Sequence, residues 1–352
     1  MIGVYFQSWS SQWTSQHLDL ERCESDVIYL AFVKPSCTYE KGQFSFSGTG
    51  LDFSSDFKIV KEAIQVLRSR GQKVMLSVGG ATYGFETINI KNLNDLVQDL
   101  NCDGMDIDWE PSISDLNTFA KILKLFGEQK VGLLSAAVFS VGAYGEGQWK
   151  DAKPQGIYTG LNRKGLVEAG DYLDWINIMS YDASDAFNPT EAFMAYQSIF
   201  SKDIYLGLEV GQQAWGGALL TLDQVKLWGQ FVLNQKGHFF IWSWQKIGWP
   251  NAKVVMDTLK SLSIKPSDPT KPIDPTKPID PTKPIDPTKP IEVKEPIDCQ
   301  CTCHSKIDWK PWSVYQHGHV VMYQGKPFTC RQSHTSQPEW TPPTTPALWS
   351  NV

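Results

Sequence analysis

No apolar run in this sequence approaches the roughly 18 residues that a membrane-spanning helix needs. Excess positive charge is missing too. The formal net charge of the 352-residue chain is -6, which argues against a nucleic-acid partner and leaves a neutral polymer unaffected. No glycine-rich phosphate loop follows the first strand-like segment, Gly3–Trp9, so a doubly wound nucleotide-binding sheet is disfavoured. Cysteine is sparse: seven in all, an odd number, three of them clustered as Cys299-Gln-Cys301-Thr-Cys303 beside His304. That pattern gives neither a disulfide framework nor the spacing of common zinc sites. No export leader is legible, because the chain runs from Met1-Ile2 straight into a strand pattern. Export is therefore expected through a preceding signal or by another route.

Aromatic residues are plentiful, with 14 Trp, 12 Tyr and 17 Phe. They fit either an aromatic core or a surface that stacks on the flat C–H faces of sugar rings.

Four tandem copies of Asp-Pro-Thr-Lys-Pro-Ile run from Asp268 to Ile291. Proline at this density forbids helix and central strand. The segment 265–297 reads as an extended spacer on the order of 90 Å long. It separates a long part, 1–264, from a tail, 298–352, rich in Trp, Tyr, Thr and Pro, which reads as a small all-β module.

The long part is an α/β pattern. Eight apolar segments predict strands: Gly3–Trp9, Val27–Val33, Lys73–Gly80, Gly104–Glu110, Gly132–Phe139, Trp175–Asp182, Ile204–Val210 and His238–Trp244. Several are apolar on both faces, as buried parallel strands are. Helical patterns lie between them, at Phe57–Arg70 (Ile59, Ala63, Val66 and Leu67 sharing a face), Phe193–Phe200, Leu222–Leu233 and Val254–Leu262. Eight strands in about 260 residues suit a (β/α)8 TIM barrel.

The chemistry is concentrated in Asp103-Gly-Met-Asp106-Ile-Asp108-Trp109-Glu110. Alternation puts Asp106, Asp108 and Glu110 on one face of a strand and Met105, Ile107 and Trp109 on the other. In a barrel the carboxyls climb the lumen toward the C-terminal rim. Three ionised carboxylates cannot stack there, so at least one holds a proton near neutrality. A hard-cation site would need ligands from other strands, and the sequence names none.

Asp103-x-x-Asp106-x-Asp108-x-Glu110 resembles the signature of the family 18 glycoside hydrolases, the chitinases. Ser77-Val-Gly79-Gly80, Met179-Ser-Tyr181-Asp182, Trp242 and the Ala31-Phe32 pair are similar to that family's other strand motifs, in the same order. The resemblance implies hydrolysis of β-1,4-linked N-acetylglucosamine polymers without metal or organic cofactor. It implies Glu110 as the acid, Asp108 and Tyr181 holding the substrate's own acetamide as nucleophile, and Asp106 sharing a proton with Asp108. Trp242, Phe32, Met179 and Asp182 are then substrate-site residues. Tyr5 and Gln7 either join them or pack the barrel, and Asp103 is structural.

The tail, from Trp309 through Tyr315, Tyr323, Phe328 and Cys330 to Trp349, resembles the family 5 and 12 chitin-binding modules. That resemblance implies a core of Trp309, Tyr315, Tyr323, Phe328 and Trp349. Trp340 is its exposed chitin contact, with Trp312 a second candidate. Chitin and N-acetylglucosamine oligosaccharides are the expected partners of a monomer secreted to reach them. The short stretch 200–204 leads to the expectation of a shallow cleft and endo cleavage. Two alternatives share the barrel: an endo-β-N-acetylglucosaminidase acting on N-glycans, and a non-catalytic chitin lectin. The chitin-binding tail argues against the first, and an intact Glu110 against the second.

Overall fold

The computed structural model describes residues 1–13, 18–112, 115–217, 219–262, 307–309, 314–315, 320–331, 334–336, 341–346 and 348–351. The proline repeat, the Cys299–Cys303 cluster, Trp312 and Trp340 lie outside them. The chain divides into two compact units, 1–272 and 273–352.

In the first unit eight parallel strands close into a barrel in sequence order. They are β1 (Ile2–Gln7), β2 (Val27–Val33), β3 (Lys73–Gly79), β4 (Gly104–Asp108), β5 (Leu133–Phe139), β6 (Trp175–Met179), β7 (Asp203–Glu209) and β8 (His238–Trp242). β8 pairs back onto β1 through Ile2↔Phe239 and Gly3↔Phe240. The helices are α1 (Phe57–Ser69), α2 (Ile90–Leu100), α3 (Thr118–Gln129), α4 (Arg163–Ala169), α5 (Pro189–Gln197), α6 (Leu222–Asn234) and α7 (Ala252–Lys260). Among the described residues, β1 and β2 are joined by short 3-10 turns, not by a helix. There Leu18 and Leu20, two apart, both turn inward, a spacing that a helical face does not offer.

Alternation along the strands builds two cores. Tyr5, Val27, Tyr29, Ala31, Met75, Trp175, Tyr205 and Phe240 fill the lumen. Their neighbours Val4, Phe6, Ile28, Leu30, Val74 and Leu76 face the helices. The buried stripe of α1 is Phe57, Val60, Ala63, Ile64 and Leu67. Ile59 and Val66 are only half-buried, so the predicted face is turned slightly from the real one. N-caps fix three helix starts: Asn188 before Pro189 in α5, a Thr221/Gln224 capping box in α6, and Asn251 in α7.

Six predicted strands extend past the ladder at the C-terminal rim. Trp9, Gly80, Glu110, Asp182, Val210 and Trp244 lie beyond the last paired residues. The chain turns out of the sheet there, through Gly79 (φ +113) and Gly80 (φ +74) after β3 and through Asp182 (φ +53) after β6. Glycine is required at the first of these turns. A Cβ on Gly79 would stand 2.1 Å from the Asp108 carbonyl oxygen, and one on Gly80 would meet the Phe32 ring at 2.7 Å.

The second unit carries a four-stranded sheet in the order β14 (Trp349–Asn351), β12 (Lys326–Cys330), β11 (Val320–Tyr323) and β9 (Ile307–Asp308). A two-stranded pair of β10 (Val314–Tyr315) and β13 (His334–Thr335) accompanies it. Tyr315, Phe328 and Trp349 are buried, with Trp309 and Tyr323 packed against them, as expected from the sequence. Val321 and Cys330 complete this core.

Candidate active site

The site is built on β4. Its outward side chains, Met105 and Ile107, are fully buried against the helices, and Trp109 stacks on Phe119 of α3 at 5.7 Å. These contacts fix the rotation of the strand, so Asp106, Asp108 and Glu110 point into the lumen. Asp103, on the outward side, accepts a hydrogen bond from the Val74 N–H at 2.8 Å and pairs with Arg68 at 2.9 Å. It ties β4 to its surroundings and stays away from the cleft.

Asp106 is completely buried and saturated with donors. Tyr5 Oη (2.8 Å) and Ser77 Oγ (2.9 Å) donate to Oδ2, while Ser135 Oγ (2.6 Å) and Asn177 Nδ2 (3.2 Å) donate to Oδ1. Asn177 is held in turn by Tyr29 Oη, which accepts from Trp175 Nε1. Burial pushes the Asp106 carboxyl up, and the four donors offset part of that rise. Both oxygens are occupied by neutral side chains, and no hydrogen bond joins Asp106 to Asp108 among the described residues. Asp106 is thus a fixed floor beneath Asp108.

Asp108 is the opposite case. Its Oδ1 is buried and has no hydrogen-bond partner. Burial, then Glu110, then Asp106 push its carboxyl well above the ordinary range. Glu110, half-buried at the rim, is pushed up to about 6 by burial and by the Asp182 carboxylate, against an opposing hydrogen bond from the Ala81 N–H. Burial and the charges of Asp108, Glu209, Glu110 and Asp182 keep Tyr181 a protonated donor.

Two cavities flank Glu110. One, of about 490 Å³, is lined by Trp9, Phe32, Asp108, Tyr181 and Trp242, among others. The other, of about 390 Å³, is lined by Phe139, Gln155, Ile157 and Tyr158 and others. Glu110, Met179, Tyr181 and Asp182 border both. Volumes of this size suit small-molecule and sugar sites. Trp242 and Phe32 stack at 5.8 Å and Phe32 and Trp9 at 6.0 Å, giving an aromatic wall. The Ala31–Phe32 and Trp242–Ser243 peptide bonds are cis.

Glu110, Asp108, Tyr181, Trp242, Phe32, Met179 and Asp182 therefore converge as expected. Tyr5 and Gln7 do not line the cleft. Tyr5 is buried beneath it as a donor to Asp106, and the Gln7 backbone is paired in both directions with the Gln245 side chain. Stretch 200–204 joins α5 to the start of β7, at the barrel end opposite the cleft. Its length has no bearing on cleft depth, which depends on the rim loops 180–188 and 210–221. Sequence reasoning passes over Ser135 and Asn177. Each is a lone polar residue at an inward position of an apolar strand, in LLSAAVF and WINIM, and that is the available signal. It also passes over Trp9 as a cleft residue.

The profile of glycosyl hydrolases family 18 matches residues 1–245, and that of carbohydrate-binding module family 5/12 matches residues 308–350. Endochitinase 1 of Metarhizium anisopliae is 29% identical over 138 residues, 36% of this chain and 32% of that protein. Streptogrisin-C of Streptomyces griseus is 46% identical over 44 residues, 12% of this chain and 10% of that protein. The matches thus span a third or less of these relatives. A family 18 chitinase structure from Pseudoalteromonas aurantia superimposes with a TM-score of 0.50 at 21% identity, over 69% of this chain and 93% of that one. One from Chromobacterium violaceum gives 0.53 at 15% identity, over 74% and 83%. At such identities these structures speak for the barrel fold alone. The profile match over residues 1–245 of the 352, together with a rim that carries the family's carboxyls in the lumen, establishes the conclusion: the chain belongs to the glycosyl hydrolases of family 18 and ends in a family 5/12 carbohydrate-binding module.

Proposed function

We propose that the protein is a retaining chitinase that cuts β-1,4-linked N-acetylglucosamine polymers internally, with its C-terminal module anchoring it to insoluble chitin. The observation that carries this reading is Asp108 Oδ1, a buried acceptor without a partner, set beside Glu110 between two cavities. A 2-acetamido N–H supplies the missing donor. A hydrogen bond to the charged form favours ionised Asp108, so the proton that the coupled carboxyls hold stays on Glu110.

Glu110 then protonates the glycosidic oxygen as the C1–O bond breaks. The acetamido oxygen of the same sugar closes onto C1, the substrate-assisted variant of glycoside hydrolysis. Asp108 opposes the positive charge of the resulting oxazolinium ion, and the Tyr181 hydroxyl donates to the acetamido oxygen. Glu110, now a carboxylate, takes a proton from water as that water attacks C1 and opens the oxazolinium ring. Two inversions at C1 give net retention. The aromatic wall of Trp9, Phe32 and Trp242 holds sugars on one side of Glu110, and the Phe139/Tyr158 cavity holds the leaving group on the other. Room for sugars on both sides supports internal cleavage. A polymer too large to enter a cell is met outside it, which supports a secreted enzyme.

Digestion of insoluble chitin by the full chain and by Trp340→Ala tests this reading. The wild type is expected to release a mixture of oligosaccharide lengths. The variant is expected to release several-fold less from insoluble chitin and to keep its rate on soluble oligosaccharides. Disaccharide released alone from one chain end contradicts internal cleavage. No release from chitin, with cleavage of an N-glycoprotein, contradicts the substrate.

A further inference from the structure

The aromatic wall carries a charge beside it that the proposed mechanism does not use. Asp52, on the loop after β2, borders the cavity of Trp9, Phe32, Asp108 and Trp242 and does not border that of Phe139 and Tyr158. Its side chain is exposed. Among the described residues its carboxylate has no ion-pair or hydrogen-bond partner; the backbone N–H is its bonded group.

Hydrogen bonds from neighbouring segments hold the loop in place. The Lys34 N–H donates to the Thr49 carbonyl at 2.8 Å, and Tyr83 Oη donates to the Gly50 carbonyl at 3.3 Å. The Asp52 N–H donates to Ser8 Oγ at 3.1 Å, and the Ser54 N–H donates to Ser11 Oγ at 3.0 Å. Ser8 and Ser11 flank Trp9 in the chain, and Trp9 stacks on Phe32. Asp52 and the wall are thereby fastened to one another.

The charge around them is of one sign. Asp52, Asp108, Glu110 and Asp182 line the two cavities, and among the described residues no Lys or Arg does. The Lys34 ammonium lies over the Tyr83 ring at 5.6 Å, and Lys246, on the loop after β8, is ion-paired with Glu209 at the end of β7. A cleft lined by one sign concentrates ligands of the other. An acidic lining alone names no ligand, but the buried Asp108 Oδ1 without a partner, in the same cavity, calls for an acetamide at one position. The positions beyond it lie along Trp9 and Asp52. A β-1,4-linked sugar stacked flat on an aromatic ring projects its equatorial C2 substituent sideways, past the edge of that ring.

We propose that Asp52 is a specificity-determining residue: it pairs with the C2 ammonium of a glucosamine unit stacked along the Trp9 wall. The preferred polymer is then partly deacetylated chitin, with an acetylated sugar at Asp108 and a free amine one or two sugars further along. The inference rests on the chitinase reading for the acetylated sugar at Asp108.

The full chain and its Asp52→Asn variant are compared on the N-acetylglucosamine hexasaccharide and on the same hexasaccharide partly deacetylated, below the pKa of the sugar amine. The readout is the ratio of kcat/KM, deacetylated over acetylated, in which any general loss cancels. That ratio is expected to be about two- to fivefold higher in wild type than in Asp52→Asn, the range of a partly exposed ion pair. The difference is expected to shrink as salt rises. Wild-type products carry N-acetylglucosamine at the new reducing end and are enriched in glucosamine at the second or third sugar from it. Asp52→Asn loses that enrichment, and Asp52→Glu, which restores the charge, recovers part of the ratio. An equal ratio in wild type and Asp52→Asn, or an unchanged product pattern, overturns the inference. If wild type cleaves neither oligosaccharide, the chitinase reading falls, and calorimetric binding of both to the same proteins decides this one. A wild-type preference for the deacetylated ligand that Asp52→Asn loses supports it, and equal preferences overturn it.

Discussion

Glu110→Gln lowers kcat on a chito-oligosaccharide by about 10²–10⁴-fold, the range of general acid–base catalysis, with a small change in KM. The amide is nearly isosteric and keeps its place between the two cavities, so sugar binding survives. It has no proton to give to the glycosidic oxygen and no carboxylate to take one from water. The same residue sets the pH dependence. Burial and Asp182 push Glu110 up to about 6. The acid form is needed, so wild-type kcat/KM falls as pH rises through about 6, because kcat/KM reports the free enzyme. Steady-state kinetics across pH on wild type and variant check both statements. A variant within tenfold of wild type, or a wild-type rate that climbs through pH 6 to 8, contradicts the assignment.

Asp108→Asn is the second large effect, a fall in kcat of about 10²–10³-fold, the size associated with losing one preorganised electrostatic contact to the reacting centre. In the proposed mechanism the Asp108 oxygen without a partner is the one that meets the acetamide. An asparagine still accepts a hydrogen bond there, so KM is expected to change by a few-fold only. It carries no negative charge, and the oxazolinium ion loses its counter-charge in a buried site. The loss therefore falls on kcat. A variant whose KM rises a hundredfold at unchanged kcat would make Asp108 a binding residue and nothing more.

These effects are legible because β4 states its geometry in its own sequence. Alternation of carboxyls with Met105, Ile107 and Trp109 fixes which side faces the lumen, and the strand obeys it even though the ladder ends at Asp108. The strand cores are equally legible as apolar runs. Features made by distant residues are not. The pairing of Glu209 with Lys246 joins positions 37 apart, one at the end of β7 and one on the loop after β8, and nothing local to either announces it. Tyr5 is an ordinary strand aromatic until Asp106, 101 residues away, accepts its hydroxyl. The α1 stripe is misplaced in the sequence reading because Ile59 and Val66 are as apolar as their buried neighbours, and only packing tells them apart. The 3-10 turns between β1 and β2 follow from an inward Leu18/Leu20 spacing that no periodicity test rewards.

The stereochemistry of the first-formed product tests the central claim most directly. A chito-oligosaccharide is cleaved in the NMR tube, and the anomeric protons are followed before mutarotation scrambles them. Attack by the substrate's own acetamide, followed by water, predicts that the new reducing end appears first as the β anomer. Initial appearance of the α anomer would mean direct displacement by water and would contradict the proposed roles of Asp108 and Tyr181.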